Sequence, residues 1–187
     1  MRLIIGMSGA SGVIIAIELL RRLKKLDVET YLIITHGAEL TIRHETNLDP
    51  FEIRQLAFHS YGMEDIDADI ASGSFIHDGM IIVPCSMKTV AGLAIGYAEN
   101  LLLRAADVCI KEHRKLIVVP REMPLSRIHL RNLTTLAECG AMIIPPMLTF
   151  YNVPHTIEEQ VDHIVGKILM QFGLEHPGFT AWQGGQA

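Results

Sequence analysis

The chain has 187 residues, 49% of them hydrophobic and 20% charged, with a net charge of −5. This supports one domain with a full core and excludes a disordered chain. The acidic balance and the lack of a basic run speak against a nucleic-acid partner, and no apolar stretch reaches the length of a membrane span.

The first apolar run, Leu3–Ile5, reads as a buried strand that starts too early for a charged leader, so no signal peptide is expected. It ends in Gly6-Met7-Ser8-Gly9-Ala10-Ser11-Gly12, and a helical pattern follows over Val13–Lys25. A strand running through small residues into a helix aims unpaired N–H groups and a positive helix end at an anion. Ser8 and Ser11 add hydroxyl donors. The Gly-x-x-Gly-x-x-Gly spacing departs from the dinucleotide fingerprint, and no Gly-Lys-Ser/Thr closes a Walker loop, so a mononucleotide phosphate suits the turn better than a pyrophosphate. The alternative is a tight βα turn with no ligand.

Four further apolar runs read as strands: Thr30–Ile34, Met80–Val83, Leu116–Val119 and Ala141–Ile144. Their near-continuous Ile, Val and Leu content suits parallel strands covered on both faces. Helical patterns alternate with them near Gly37–His44, Met87–Ile95, Asn100–Lys111, Ser126–Glu138 and Ile157–Phe172, with a short extra helix over Pro50–Ser60. The expected fold is a doubly wound parallel α/β sheet, Rossmann-like or flavodoxin-like, in one domain over residues 1–187. A tail from about 173 to 187 carries the only tryptophan, Trp182, and is expected to cover a neighbouring subunit or the active site.

Each strand runs into a polar or proline-bounded turn, at the edge where such sheets bind ligands. Ser86 and Thr89 read equally as a helix cap with its first-turn partner and as ligand donors. Cys85 reads as a packed thiol rather than a nucleophile. Arg121-Glu122, directly after a buried strand, reads as an anion contact, with an internal ion pair as the alternative. By pattern alone Arg104 and Lys111 form a solvated helix stripe, Lys167 is ambiguous, and Glu45 is a helix-end acid. Tyr151, after two prolines, is balanced between core packing and ligand contact. The isolated Cys85, Cys109 and Cys139 point to a reducing cytosol, and neither they nor the nine scattered histidines have metal-ligand spacing.

In order and spacing these segments resemble the UbiX-type flavin prenyltransferases, and among them the B subunits of bacterial hydroxyarylic or phenolic acid decarboxylase systems. The resemblance rests on the Gly6–Gly12 turn, Ala71-Ser72-Gly73-Ser74-Phe75, Pro84-Cys85-Ser86-Met87-Lys88-Thr89, Arg104-Ala105-Ala106-Asp107-Val108 and Pro120-Arg121-Glu122-Met123-Pro124-Leu125. It continues through Pro145-Pro146-Met147, Phe150-Tyr151-Asn152 and Trp182-Gln183-Gly184. It implies FMN bound through Gly9, Ala10, Ser11, Thr35, Ser86, Met87, Lys88, Thr89 and Arg121. Dimethylallyl phosphate is implied on Tyr151 and Lys167, helped by Lys111 and by Arg104 from a neighbouring subunit. Catalytic roles are implied for Glu45, Glu122, Lys111 and Trp182. Two positions depart from the pattern: Thr35 stands where serine is usual, and Lys167 where arginine is common, which weakens bidentate phosphate contact.

The implied reaction joins a dimethylallyl group to N5 and C6 of reduced FMN without a metal, in a cytoplasmic homododecamer. The prenylated FMN then serves a UbiD-type aromatic acid decarboxylase. Two rivals share the motifs in part. A flavin-dependent cysteine decarboxylase would need a Pro-Ala-Ser-Ala-Asn-Ser-like segment where Pro84–Thr89 stands. A non-catalytic FMN carrier would have no use for Lys111, Tyr151 and Lys167 together.

Overall fold

The computed structural model describes residues 1–182 and 184. The chain forms two compact units, Met1–Pro145 and Pro146–Ala187.

The first unit is built on a six-stranded parallel sheet: β1 (Arg2–Met7), β2 (Glu29–Ile34), β3 (His59–Tyr61), β4 (Gly79–Cys85), β5 (Leu116–Pro120) and β6 (Met142–Ile143). Their order is β3-β2-β1-β4-β5-β6, so the winding reverses between β1 and β4. All five expected strands are present. The sixth corrects the helix expected over Pro50–Ser60. A capping box at Asp49 starts that helix, but it ends at Arg54, and His59–Tyr61 pairs with β2 as an edge strand. Three residues on a half-buried edge carry too little alternation to announce a strand.

Side chains alternate across the sheet, as period two requires. Ile4, Tyr31, Ile33, Met80, Ile82, Leu116 and Val118 form one face, packed with residues of α4 (Met87–Ala94) and α5 (Leu101–Lys111). The intervening Leu3, Ile5, Leu32, Ile81 and Ile117 are also fully buried. Both faces are therefore covered, which accounts for the unbroken apolar runs.

The remaining helices of this unit are α1 (Val13–Lys25), α2 (His36–Glu45), α3 (Pro50–Arg54) and α6 (Arg127–Glu138). α2 to α6 each start on an Asx, Ser or Thr whose side chain accepts an N–H of the first turn: Thr35, Asp49, Ser86, Asn100 and Ser126. α1 differs. Its cap is Gly12, at φ 101°, and no side chain of its own closes the first turn.

The second unit contains α7 (Ile157–Met170), capped by Thr156, and the segment around it. Val161, Ile164, Val165, Ile168 and Leu169 form its buried stripe.

Candidate functional site

The reversal between β1 and β4 brings the turns after those strands side by side, the position where doubly wound sheets bind ligands. Ser8 joins them. Its buried hydroxyl donates to Pro84 O (3.1 Å) and accepts the Ser86 N–H (2.7 Å), and its own N–H also donates to Pro84 O. The expected ligand donor at Ser8 is therefore committed to the protein, whereas the Ser11 hydroxyl has no partner among the described residues. The smallness of Gly9 also serves the fold: a Cβ there would lie 2.9 Å from the backbone carbon of Gly37, at the start of α2.

The missing cap of α1 comes from α2. Glu45 Oε2 accepts the N–H groups of Gly12 (2.9 Å) and Val13 (3.2 Å). A carboxylate on a positive helix end is the arrangement the dipole favours. This corrects the reading of the α1 start as an open phosphate seat: its anion is the chain's own. The N–H groups of Gly9 and Ser11, three residues and one residue before Gly12, have no partner among the described residues. Ala10 donates back to Ser8 O at 2.8 Å, which folds the turn so that its neighbours are spared.

Three groups flank this turn. Thr35 caps α2 by accepting the Ala38 N–H (3.1 Å). Ser86 caps α4 by accepting the Thr89 N–H (3.3 Å), and the Ser86 and Thr89 hydroxyls meet at 3.1 Å, so capping holds at this pair. Met87 is buried and Lys88 exposed. Beyond β5, the Arg121 N–H donates to Cys85 O (3.1 Å), drawing the ends of β4 and β5 together. The Arg121 side chain is exposed and has no partner among the described residues. Glu122 turns instead to the Met123 N–H (3.1 Å), so the internal Arg–Glu pair is not formed. Cys85 is fully buried and burial pushes its thiol well above the ordinary range, which makes it a packed side chain.

Arg104 and Lys111 do not form a merely solvated stripe. The Arg104 Nε donates to Ala71 O (3.1 Å) while its Nη1 pairs with Asp107 (2.8 Å). Arg114 donates to Gly73 O (2.5 Å) and Phe75 O (2.7 Å). Lys111 pairs with Glu112, and both lie so near Gly73 that a Cβ there would collide with the Glu112 carboxylate. The Ala71–Phe75 loop is thus held by Arg104 of α5 and by Arg114 just after that helix. Sequence reasoning missed Arg114, whose only signal was its place three residues after Lys111.

In the second unit the Tyr151 hydroxyl donates to Thr180 O (3.2 Å) and shares a hydrogen bond with His163 Nε2 (3.1 Å). The Trp182 ring meets Tyr151 edge-on at 5.7 Å, and Phe179 stacks on His163 at 4.9 Å. Lys167, one helical turn after His163, is exposed. Burial, with the Lys167 charge added, holds the His163 pKa below the ordinary histidine value. Tyr151, Lys167 and Trp182, expected separately, thus belong to one unit, joined through a histidine that the sequence reading passed over.

Comparison with known proteins bears on these arrangements. The flavoprotein family model matches residues 1–173 and so crosses the boundary between the units. A probable UbiX-like flavin prenyltransferase of Sedimentibacter hydroxybenzoicus is 56% identical over 185 residues, covering 98% of each chain. The chain belongs to the UbiX-like flavin prenyltransferases. Another member, the flavin prenyltransferase LpdB of Lactiplantibacillus plantarum, is 50% identical with 98% coverage of both chains. Among solved structures, a dodecameric FMN-dependent UbiX-like decarboxylase from Escherichia coli O157:H7 superposes with a TM-score of 0.96 at 50% identity, covering 98% of this chain and 100% of that one. A UbiX structure in complex with FMN and dimethylallyl pyrophosphate gives 0.96 at 43% identity, covering 99% and 98%. A peptidyl-cysteine decarboxylase, at 17% identity, covers 79% of this chain and 82% of its own, with a TM-score of 0.62, and shares the fold alone.

As a flavoprotein of this family the chain is expected to hold FMN, and its residues suit that ligand. The Gly9 and Ser11 N–H groups and the Arg121 guanidinium, at the ligand edge of the sheet, are donors without a partner among the described residues. No helix among the described residues is long and apolar enough to cross a membrane, and no three His, Cys, Asp or Glu among them gather as metal ligands.

Proposed function

We propose that the enzyme transfers a dimethylallyl group from dimethylallyl phosphate to N5 and C6 of reduced FMN, without a metal. The observation that carries this reading is the set of unpartnered donors, Gly9 N–H, Ser11 N–H and the Arg121 guanidinium, at the β1–β4 reversal. We assign FMN to Gly9, Ala10, Ser11, Thr35, Ser86, Met87, Lys88, Thr89 and Arg121. Its phosphate lies on the Gly9–Ser11 side of the turn, since Glu45 already neutralises the start of α1.

The prenyl phosphate is assigned to Tyr151 and Lys167, with Lys111, and Arg104 from a neighbouring copy, as further cations. Charge grows on the phosphate as its bond to carbon breaks, and fixed cations lower that barrier. Glu45 and Glu122 are assigned to proton handling and Trp182 to an aromatic wall for the allylic group.

The two units work as one flavoprotein domain, assembled as a homododecamer in the cytoplasm, with the product passed to a UbiD-type aromatic acid decarboxylase. The dodecameric relative supports the assembly. The test is incubation with reduced FMN and either dimethylallyl phosphate or its diphosphate, followed by mass spectrometry of the flavin. The expected result is a flavin heavier by one prenyl unit, formed from the monophosphate and insensitive to chelator. An FMN mass unchanged with both donors refutes the assignment.

A further inference from the structure

His163 is 4% exposed, yet its Nδ1 has no hydrogen-bond partner among the described residues. Its other nitrogen lies 3.1 Å from the Tyr151 hydroxyl, which is also 3.2 Å from Thr180 O. A carbonyl oxygen only accepts, and a phenol has one proton. The Tyr151 proton therefore goes to Thr180, and His163 must be the donor in its bond to Tyr151. That fixes the tautomer: Nε2 carries the hydrogen and Nδ1 is bare. The orphan is then an acceptor rather than an N–H, and a buried carbonyl-type or imine acceptor without a partner is commoner than a buried donor without one.

The pocket around the ring keeps this arrangement. Phe179 stacks on the imidazole, and burial together with the Lys167 charge keeps it neutral. Had His163 instead accepted, the phenolic proton would point into the protein and Tyr151 could offer nothing outward. With His163 donating, the tyrosine oxygen is polarised from behind, which strengthens its own donation in front.

We propose that His163 is a positioning residue for Tyr151, donating through Nε2–H to the phenol oxygen so that the phenolic proton points away from the helix, to Thr180 in this structure and to a phosphate oxygen of the prenyl substrate when that binds. The role of Tyr151 as a phosphate contact rests on the reading above; the direction of the hydrogen bond does not. On this proposal the substrate phosphate takes over the bond now made to the Thr180 carbonyl, so substrate and the segment carrying Thr180 compete for one proton.

Two measurements test this. Nitrogen-15 NMR of the histidines in the full-length protein should give His163 in the Nε2–H form at neutral pH; an Nδ1–H signal overturns the proposal whatever reaction the enzyme performs. His163→Phe keeps an aromatic ring against Phe179 but loses the donor. At pH 7.5 or above it should keep its melting temperature and FMN affinity, and lower kcat/KM for dimethylallyl phosphate by roughly 3- to 10-fold, the worth of one hydrogen bond. In a Tyr151→Phe background the same change should cost less than about twofold, because its effect runs through the hydroxyl already removed. His163→Gln, which retains an N–H donor, should recover part of the loss. Wild-type kinetics in His163→Phe, or an equal loss with and without the Tyr151 hydroxyl, overturns the proposal while leaving prenyl transfer by the wild type intact. Absence of prenyl transfer in the wild type defeats the reaction assignment instead, and the NMR result then decides the hydrogen bond by itself.

Discussion

In the first unit, most of the groups assigned to the flavin are backbone amides and short hydroxyls, fixed by strand ends, helix caps and the approach of Gly9 to Gly37. In the second, the groups assigned to the prenyl phosphate are long side chains, Tyr151, aimed by hydrogen bonds to His163 and Thr180, and the exposed Lys167. A backbone-built site is inseparable from its fold, so damage to it appears as lost stability and lost flavin together. A side-chain-built site lets charge and reach change while the helix beneath stays intact. The same contrast runs through the carboxylates. Glu45 bonds to the main chain of α1, whereas Glu122 is exposed on a turn and, among the described residues, bonds to its neighbour alone.

The sharpest break between the units should come from Lys167→Ala. Lys167 is exposed on α7, so the fold and FMN affinity should be unchanged. Prenyl transfer should fall by about 100- to 1000-fold, the typical cost of one group that stabilises transition-state charge. Lys167→Arg should retain activity. Flavin binding and single-turnover rates measured on the same preparations check this; transfer at wild-type rate in the alanine variant removes Lys167 from the site.

Arg121→Ala is the counterpart in the first unit. Its guanidinium has no protein partner among the described residues, so the apoprotein should melt as the wild type does. FMN affinity should fall by roughly 10- to 100-fold, the worth of a charged hydrogen bond to phosphate. Fluorescence titration with FMN reads this, and an unaltered affinity moves the phosphate elsewhere.

Glu45→Ala tests whether the two jobs of a carboxylate separate. Losing a helix cap should cost about 1 kcal/mol. Prenyl transfer should suffer more than that stability loss explains if Glu45 also handles protons. Glu45→Gln, whose amide oxygen still accepts from the α1 start, should recover most of the melting temperature but not the transfer rate. Melting curves set beside turnover decide between a cap and a cap with chemistry.

The smallest effect should be a pH dependence of stability to which each unit contributes one histidine. Burial lowers the pKa of His77 in the first unit, as burial and Lys167 lower that of His163 in the second. As pH falls below about 6.5 the unfolded chain takes up protons that these folded histidines refuse, so unfolding is favoured. Stability should rise with pH through that window and level off above it. His77→Gln and His163→Phe should each flatten part of the slope in thermal melts between pH 5.5 and 7.5, and neither doing so would refute the assignment of the slope to these rings.

Much of this protein lay open in its sequence. The unbroken apolar runs of β1, β2, β4 and β5 announced a sheet buried on both faces, because burial there leaves no solvent side for polar residues. The chemistry-bearing segments, from Gly6–Gly12 to Trp182, carried the family in their order. The sequence could not tell which of these groups the protein uses on itself. Ser8 reaches Pro84 and Ser86, Glu45 reaches Gly12 and Val13, and Arg114 reaches Gly73 and Phe75, across separations of 32 to 78 residues. β3 escaped for a related reason, since an edge strand of three residues exists by virtue of its neighbour. Local pattern reports propensity and burial, which each segment carries in its own residues. Hydrogen-bond partners and the direction of a proton depend on which distant segment the fold brings near, and only the tertiary structure decides that.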